Sequence, residues 1–249
     1  TSPTDLARSV EKLNAEAVAL FVDAAAVDRV FSNSVHLSSD AIRHFLVSLC
    51  GVSKQEINHS GAATFRLRGT REDMSQPRVF SLQKLVEVAD FNMDSRSRIV
   101  WANIWEVLSG HFADIGSHDN PSVAMYAIDS LRQLAFKFMV KEELRDFNFQ
   151  RLFLKPFETV MASSKNVQIR ELILRCVDNL VQARQNNIRS GWKSILSVLS
   201  IAARDPDPSI AELAWGIVDR LVESGAGPTV RYDFLDVAKC LLAFVEGPH

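Results

Sequence analysis

Three stretches of the chain, NPSVAMYAIDSL (120–131), NVQIRELILRCV (166–177) and DPSIAELAWGIV (207–218), superpose without a gap. Val123, Ile169 and Ile210 share one column, Ala127, Ile173 and Ala214 a second, and Leu131, Val177 and Val218 a third. The pattern returns after roughly 40–46 residues, the length of a two-helix repeat. Within each stretch the apolar columns are four residues apart, the spacing of one helical face. A second register agrees: the interval from Trp105 to Pro121 equals that from Trp192 to Pro208. Such a unit cannot bury its apolar face alone, so neighbours must stack and share a core.

The rest of the chain has the same period. Leu6, Val10, Leu13, Ala17, Leu20, Ala24, Val27 and Phe31 predict one helix over 5–31, and further helices are expected at 40–50, 81–92, 97–115, 122–139, 149–162, 167–183, 190–203, 208–223 and 233–245. No alternating strand pattern competes with them. Ser39, Asn120, Ser190 and Asp207 stand where N-caps are expected. Pro121 and Pro208 then take the first helical position, where a missing N–H costs nothing. The fold class is therefore all-α, a HEAT/armadillo-like α-solenoid of stacked antiparallel helix pairs. The chain is read as one such domain over 1–249, with N-terminal helices in 1–58 and helix pairs in 80–249. Between them HSGAATFRLRGTREDMSQPRV (59–79) loses the periodicity, and a mobile loop is expected there.

Composition removes several function classes. A chain of 249 residues, 47% hydrophobic and 23% charged, has ample material for a core. Its formal net charge is -2, so no overall positive field favours nucleic acid, and none is expected as a partner. Apolar runs such as ILSVLSIAA are too short to cross a bilayer, and the opening TSPTDLARSV does not read as a secretion signal. Cys50, Cys176 and Cys240 are far apart in apolar helical surroundings, as expected of buried reduced thiols.

No HExxH, GxSxG, Walker or dinucleotide motif occurs, so neither enzyme activity nor a cofactor is expected. His111 and His118 stand on either side of an expected helix end, a poor metal pair. The carboxylates of Glu142 with Glu143 and of Asp205 with Asp207 stand where helices begin, and are read as capping charges.

Charge is unevenly spread. Residues 165–193 carry Lys165, Arg170, Arg175, Arg184, Arg189 and Lys193 against Glu171 and Asp178, while residues 205–249 have eight carboxylates against Arg220, Arg231 and Lys239. A basic zone beside an acidic end is expected, with Glu171 and Arg175 paired across one turn. That zone is either a solvated face or a surface for an acidic partner or anionic lipid. Within it lies NNIRSGWKSIL (186–196). With Ser190 as N-cap, Trp192, Ile195, Leu196 and Leu199 fall on one face, so the indole is expected to be buried. Ile188 and Gly191 would shape the corner, leaving Asn187, Arg189 and Lys193 to present polar groups. Pure packing and packing combined with recognition both fit. A second candidate surface is Arg96, Arg98 and Trp101.

These residues carry a resemblance. FSLQKLVEVADFNMDSRSRIVWANIWEVLSGHF (80–112), AIDSLRQLAFKFM (127–139), FLKPFETVM (153–161) and NNIRSGWKSILSVLSIAA (186–203) resemble the large Arf guanine-nucleotide exchange factors of the trans-Golgi, the brefeldin-A-inhibited, Sec-seven group. The stretch is similar to the first homology region downstream of their catalytic domain. AAVDRVFSNSVHLSSDAIRHFLVSLCGVSKQEI (25–57) is similar to its opening and LDVAKCLLAF (235–244) to its close, with NIRSGWK the most specific element. DFNMDSRSRIVW departs from the usual form around Asp94 to Ser97.

The resemblance implies a non-catalytic regulatory module whose partners are GTP-loaded Arf, the anionic Golgi membrane surface and other domains of the parent exchange factor. It implies a cytoplasmic protein, peripheral on the cytosolic face of the trans-Golgi network, that supports recruitment and relieves autoinhibition. The alternative is a structural segment that packs against neighbouring domains or self-associates, with no Arf contact. Asn187, Arg189, Trp192, Lys193, Arg96, Arg98 and Trp101 are the candidate contacts under the first reading.

Overall fold

A computed structural model describes residues 9–10, 12–14, 23–59, 77–144, 147–223 and 234–248. Among them the regular structure is helical and no strand occurs. In chain order the helices are α1 (Ala24–Ser32), α2 (Ser39–His59), α3 (Phe80–Ser95), α4 (Arg98–Gly116), α5 (Pro121–Phe138), α6 (Phe149–Ser163), α7 (Val167–Arg184), α8 (Gly191–Ala202), α9 (Pro208–Glu223) and α10 (Phe234–Val245). Short 3-10 turns follow α1 (Asn33–His36) and α7 (Gln185–Asn187).

Packing alternates. Helices α2, α4, α6, α8 and α10 lie side by side in one layer, and α1, α3, α5, α7 and α9 in the other. This is the expected solenoid, with α4–α5, α6–α7 and α8–α9 as successive units. All nine aligned repeat positions are buried, as are Trp105, Leu108, Trp192 and Ile195. One apolar cluster runs from Ile42 on α2 to Cys240 on α10, so each layer of side chains is packed by the next.

Local chemistry explains most helix starts. Asn120 accepts from the N–H of Ser122 and Asp207 from that of Ser209, with Pro121 and Pro208 following each cap. At α2 the cap is Ser38 rather than Ser39: its hydroxyl oxygen accepts from the N–H of Ala41. The helix then runs on to His59, well past the end expected at residue 50. The single helix expected over 5–31 is interrupted at Asp23, whose extended backbone and side chain cap a new helix. Val10 and Leu13 are exposed, so they form no core face. Leu6, Ala17, Leu20, Asp233 and most of the loop expected at 59–79 lie outside the described residues.

A proline inside α6 is compensated from the neighbouring helix. Pro156 has no N–H to offer the carbonyl of Leu152, one turn earlier. The Trp105 indole of α4 donates to that carbonyl instead, at 3.2 Å. The same ring stacks on Phe153 at 4.0 Å, and Phe153 stacks on Phe138 at 4.6 Å. Aromatic faces thereby join α4, α6 and α5.

Part of the uneven charge is paired inside the fold. Arg170 and Asp205, both buried, form an ion pair at 2.6 Å, and Asp178 pairs with Arg220 at 2.7 Å. The first pair sets one cation of the basic stretch against a carboxylate of the acidic end, whereas the second joins the minority charge of each stretch, and Arg189 and Lys193 stay exposed. Glu171 and Arg175 pair as expected.

The three cysteines are buried and free, and burial pushes the thiols of Cys50 and Cys176 up to about 12. His111 is buried against the Ser53 hydroxyl at 3.2 Å. Burial there disfavours the charged ring, and its imidazole is pushed down to about 4. The two histidines do different things: His118 accepts from the N–H of Asn120 through Nδ1. Among the described residues no helix is long and apolar enough to cross a membrane, and no His, Cys, Asp and Glu side chains are grouped to hold a metal.

Candidate functional site

The corner between α7 and α8 is held by two side chains from another part of the chain, Glu143 and Gln150. Gln150 is fully buried at the second position of α6. Its Oε1 accepts from the N–H of Arg189 at 2.7 Å and of Gly191 at 3.4 Å, and its Nε2 donates to the carbonyl of Asn187 at 2.9 Å. One amide thereby satisfies three backbone groups of the corner. Glu143 accepts from the hydroxyl of Ser190 at 2.6 Å, from the Ser190 N–H at 2.9 Å and from the N–H of Gln150 at 2.8 Å.

Ser190 does not cap its own helix. Its backbone is helical and its hydroxyl makes no bond to the first turn of α8. The oxygen accepts instead from the N–H of Arg151, so Glu143 and Ser190 together satisfy two of the unpaired donors at the start of α6. Glu143 is a capping charge, as its position suggested, but it also clamps a second element. Gly191 is needed for closeness. A Cβ there would stand 3.3 Å from Gln150 Oε1, Ile188 and Leu154 alike.

The expected site residues of this corner separate into two kinds. Trp192 is 2% exposed and belongs to the core. Asn187 is half-buried, and its Nδ2 donates to the carbonyl of Met139 at 3.0 Å. Arg189 and Lys193 are exposed. They face different surroundings: Lys193 lines an open groove of about 370 Å³ between α8 and α10, with Arg204, Lys239 and Asp236.

Arg96, Arg98 and Trp101 do come together. They line a cleft of about 180 Å³ between the α3–α4 turn and the α5–α6 loop, with Phe138, Lys141 and Phe149 opposite. Glu143 lines this cleft as well, so one carboxylate joins the two candidate clusters. Trp101 is 3% exposed, and its indole N–H is buried without an acceptor. Sequence reasoning missed Gln150 and Lys141. Gln150 sits on an apolar helical face beside Phe149 and Phe153, a polar residue where the period calls for an apolar one, and that was the available signal.

Residues 137–220 match the family model described as Mon2/Sec7/BIG1-like, HDS. That span contains Glu143, Gln150 and the whole α7–α8 corner, and excludes Arg96, Arg98 and Trp101. Over 223 residues, 88% of the chain, it is 43% identical to brefeldin A-inhibited guanine nucleotide-exchange protein 2 of Arabidopsis thaliana. Over 222 residues it is 42% identical to brefeldin A-inhibited guanine nucleotide-exchange protein 1 of Homo sapiens. The chain spans 12% of the length of the first of these relatives and 11% of the second.

Proposed function

We propose that this chain, which carries the HDS region of the large brefeldin A-inhibited exchange proteins, is a non-catalytic regulatory module that binds GTP-loaded Arf at the membrane. The alignment over 88% of the chain with proteins named for guanine-nucleotide exchange carries this reading. Exchange itself would reside in another part of the parent protein. By holding activated Arf at the cytosolic face of the trans-Golgi, the module would support recruitment, relieve autoinhibition and give positive feedback.

The physical logic rests on the partner. GTP reorders the switch segments of a small GTPase, so a surface that reads them discriminates the nucleotide state. A single lipid chain anchors only marginally, so protein contact and attraction to anionic lipid reinforce each other. Arg189 and Lys193 are the exposed cations that support this reading at the corner. The test is sedimentation of the chain with anionic liposomes bearing Arf locked with GTP or with GDP. Preferential capture by the GTP form is expected, and weakened capture on replacing Arg189 and Lys193 together by Ala. Equal capture in both nucleotide states removes the feedback role.

A second reading has its own support. Asn187, Ser190 and Trp192 are all engaged within the fold, and Leu235, Leu242 and Val245 leave an exposed apolar stripe on α10. The segment would then pack against neighbouring domains or self-associate without touching Arf. Mass measurement in solution and normal Arf capture by the double variant distinguish it.

A further inference from the structure

The cleft lined by Arg96, Arg98 and Trp101, candidate contacts under the Arf reading, has features that fit a different occupant. Its walls are Met93, Trp101, Phe138, Phe147 and Phe149, with the Phe147 and Phe149 rings stacked at 5.9 Å. At about 180 Å³, it is below the usual size of a cofactor or nucleotide pocket, and suits one large side chain. Both elements that form it leave apolar side chains in water: Ile99 is 71% exposed, Val140 58% and Leu144 54%. Each stands next in sequence to a residue that lines the recess, Arg98, Lys141 or Glu143.

The rim is cationic. Arg96 is spent on Asn92 Oδ1 and the carbonyl of Ser34, and Lys141 on Asp94 and the carbonyl of Met93. Arg98 is exposed and donates through Nη1 to the carbonyl of Glu142, so most of its fork is still available. Glu143 is committed to Ser190 and Gln150 and Asp94 to Lys137 and Lys141, while the exposed Glu142 offers Arg98 its backbone carbonyl. A guanidinium fork beside an aromatic recess recognises a carboxylate next to an apolar side chain.

We propose that this cleft binds a short acidic protein segment, with one apolar side chain in the recess and an adjacent carboxylate on Arg98. The enclosed aromatic walls favour a single anchoring side chain over a lipid surface, which is drawn by several uncommitted cations together. The Trp101 ring gives the site its own reporter, since an occupant that shifts the ring moves its indole N–H resonance. The inference is independent of Arf binding.

The probe is the peptide acetyl-Asp-Glu-Phe-Asp-Glu-amide, titrated to millimolar concentration into the 15N-labelled chain while the four tryptophan indole signals are followed. Trp101→Phe assigns its signal. A saturable shift of the Trp101 signal is expected, absent with a central Ala or with Lys in place of the acidic residues, and weakened about tenfold by Arg98→Glu, whose folding is checked by thermal melting. No saturable shift, equal binding of the central-Ala peptide, or undiminished binding to Arg98→Glu overturns the proposal. So does an outcome in which phosphatidylserine vesicles capture the chain in an Arg98-dependent way while the peptide moves no indole signal.

Discussion

Replacing Glu143 by Ala tests whether the α7–α8 corner is clamped from the α5–α6 loop as the hydrogen bonds indicate. The carboxylate receives three bonds, from Gln150 N–H at 2.8 Å, Ser190 N–H at 2.9 Å and the Ser190 hydroxyl at 2.6 Å. Glu143 is half-buried, so water can enter when it is removed. A bond to a charged acceptor contributes more than a neutral one when buried, but with water admitted about 1 kcal/mol each is the reasonable net value. The expected loss is about 3 kcal/mol, which for a chain of this size lowers Tm by about 6–12 °C. Urea denaturation followed by circular dichroism measures it, with Glu142→Ala as the exposed neighbour, expected within about 0.5 kcal/mol of the parent. Glu143→Gln should fall between, since it retains one acceptor oxygen but turns an NH2 toward a donor. Ser190→Ala should be non-additive with Glu143→Ala, because the two share a bond. If Glu143→Ala costs no more than Glu142→Ala, or if it adds independently to Ser190→Ala, the clamp does not exist.

Three further outcomes are expected. Trp105→Phe should cost about 1 kcal/mol more in the parent than in a Pro156→Ala background, where residue 156 supplies the N–H that the Leu152 carbonyl lacks; equal costs in the two backgrounds would refute the exchange of donors. His111 is held neutral with its pKa lowered from 6.5 to about 4, so its contribution is intact above the unfolded value and is lost as pH falls from there toward the folded one, by up to about 3 kcal/mol; in His111→Gln that part of the stability–pH slope should vanish. Asp205→Asn should destabilise by about 3–5 kcal/mol through a stranded Arg170, whereas Arg170→Met with Asp205→Leu should recover most of that, and denaturation midpoints that rank the double variant below the single one would reject it.

How much of this was legible depends on the range of each interaction. The period of apolar residues, the Asn120 and Asp207 caps, the prolines at 121 and 208 and the aligned columns headed by Val123, Ile169 and Ile210 are relations within one helical turn or one repeat. They are written in sequence, and they were enough for the all-α solenoid and for the resemblance carried by NIRSGWK. The same local logic erred at Ser190, where a good cap residue found stronger partners in Glu143 and Arg151. It erred at residues 5–31 too, where apolar spacing continued across a helix break at Asp23.

What the chain does with its polar groups was settled by stacking. Arg170 meets Asp205 across 35 residues, Gln150 reaches Arg189 across 39 and Glu143 reaches Ser190 across 47. Arg98 meets the α5–α6 loop across 44 residues, which creates the cleft around Trp101. A helical period states which face of each helix is buried, but it does not state which side chain of the next layer lies opposite. That is set by the stagger and rotation of one helix pair on another, which follow from the summed packing of the whole core. Sequence alone therefore determined the helices and their repeat, and tertiary structure decided which charges are paired, which are left to solvent, and where a recess opens.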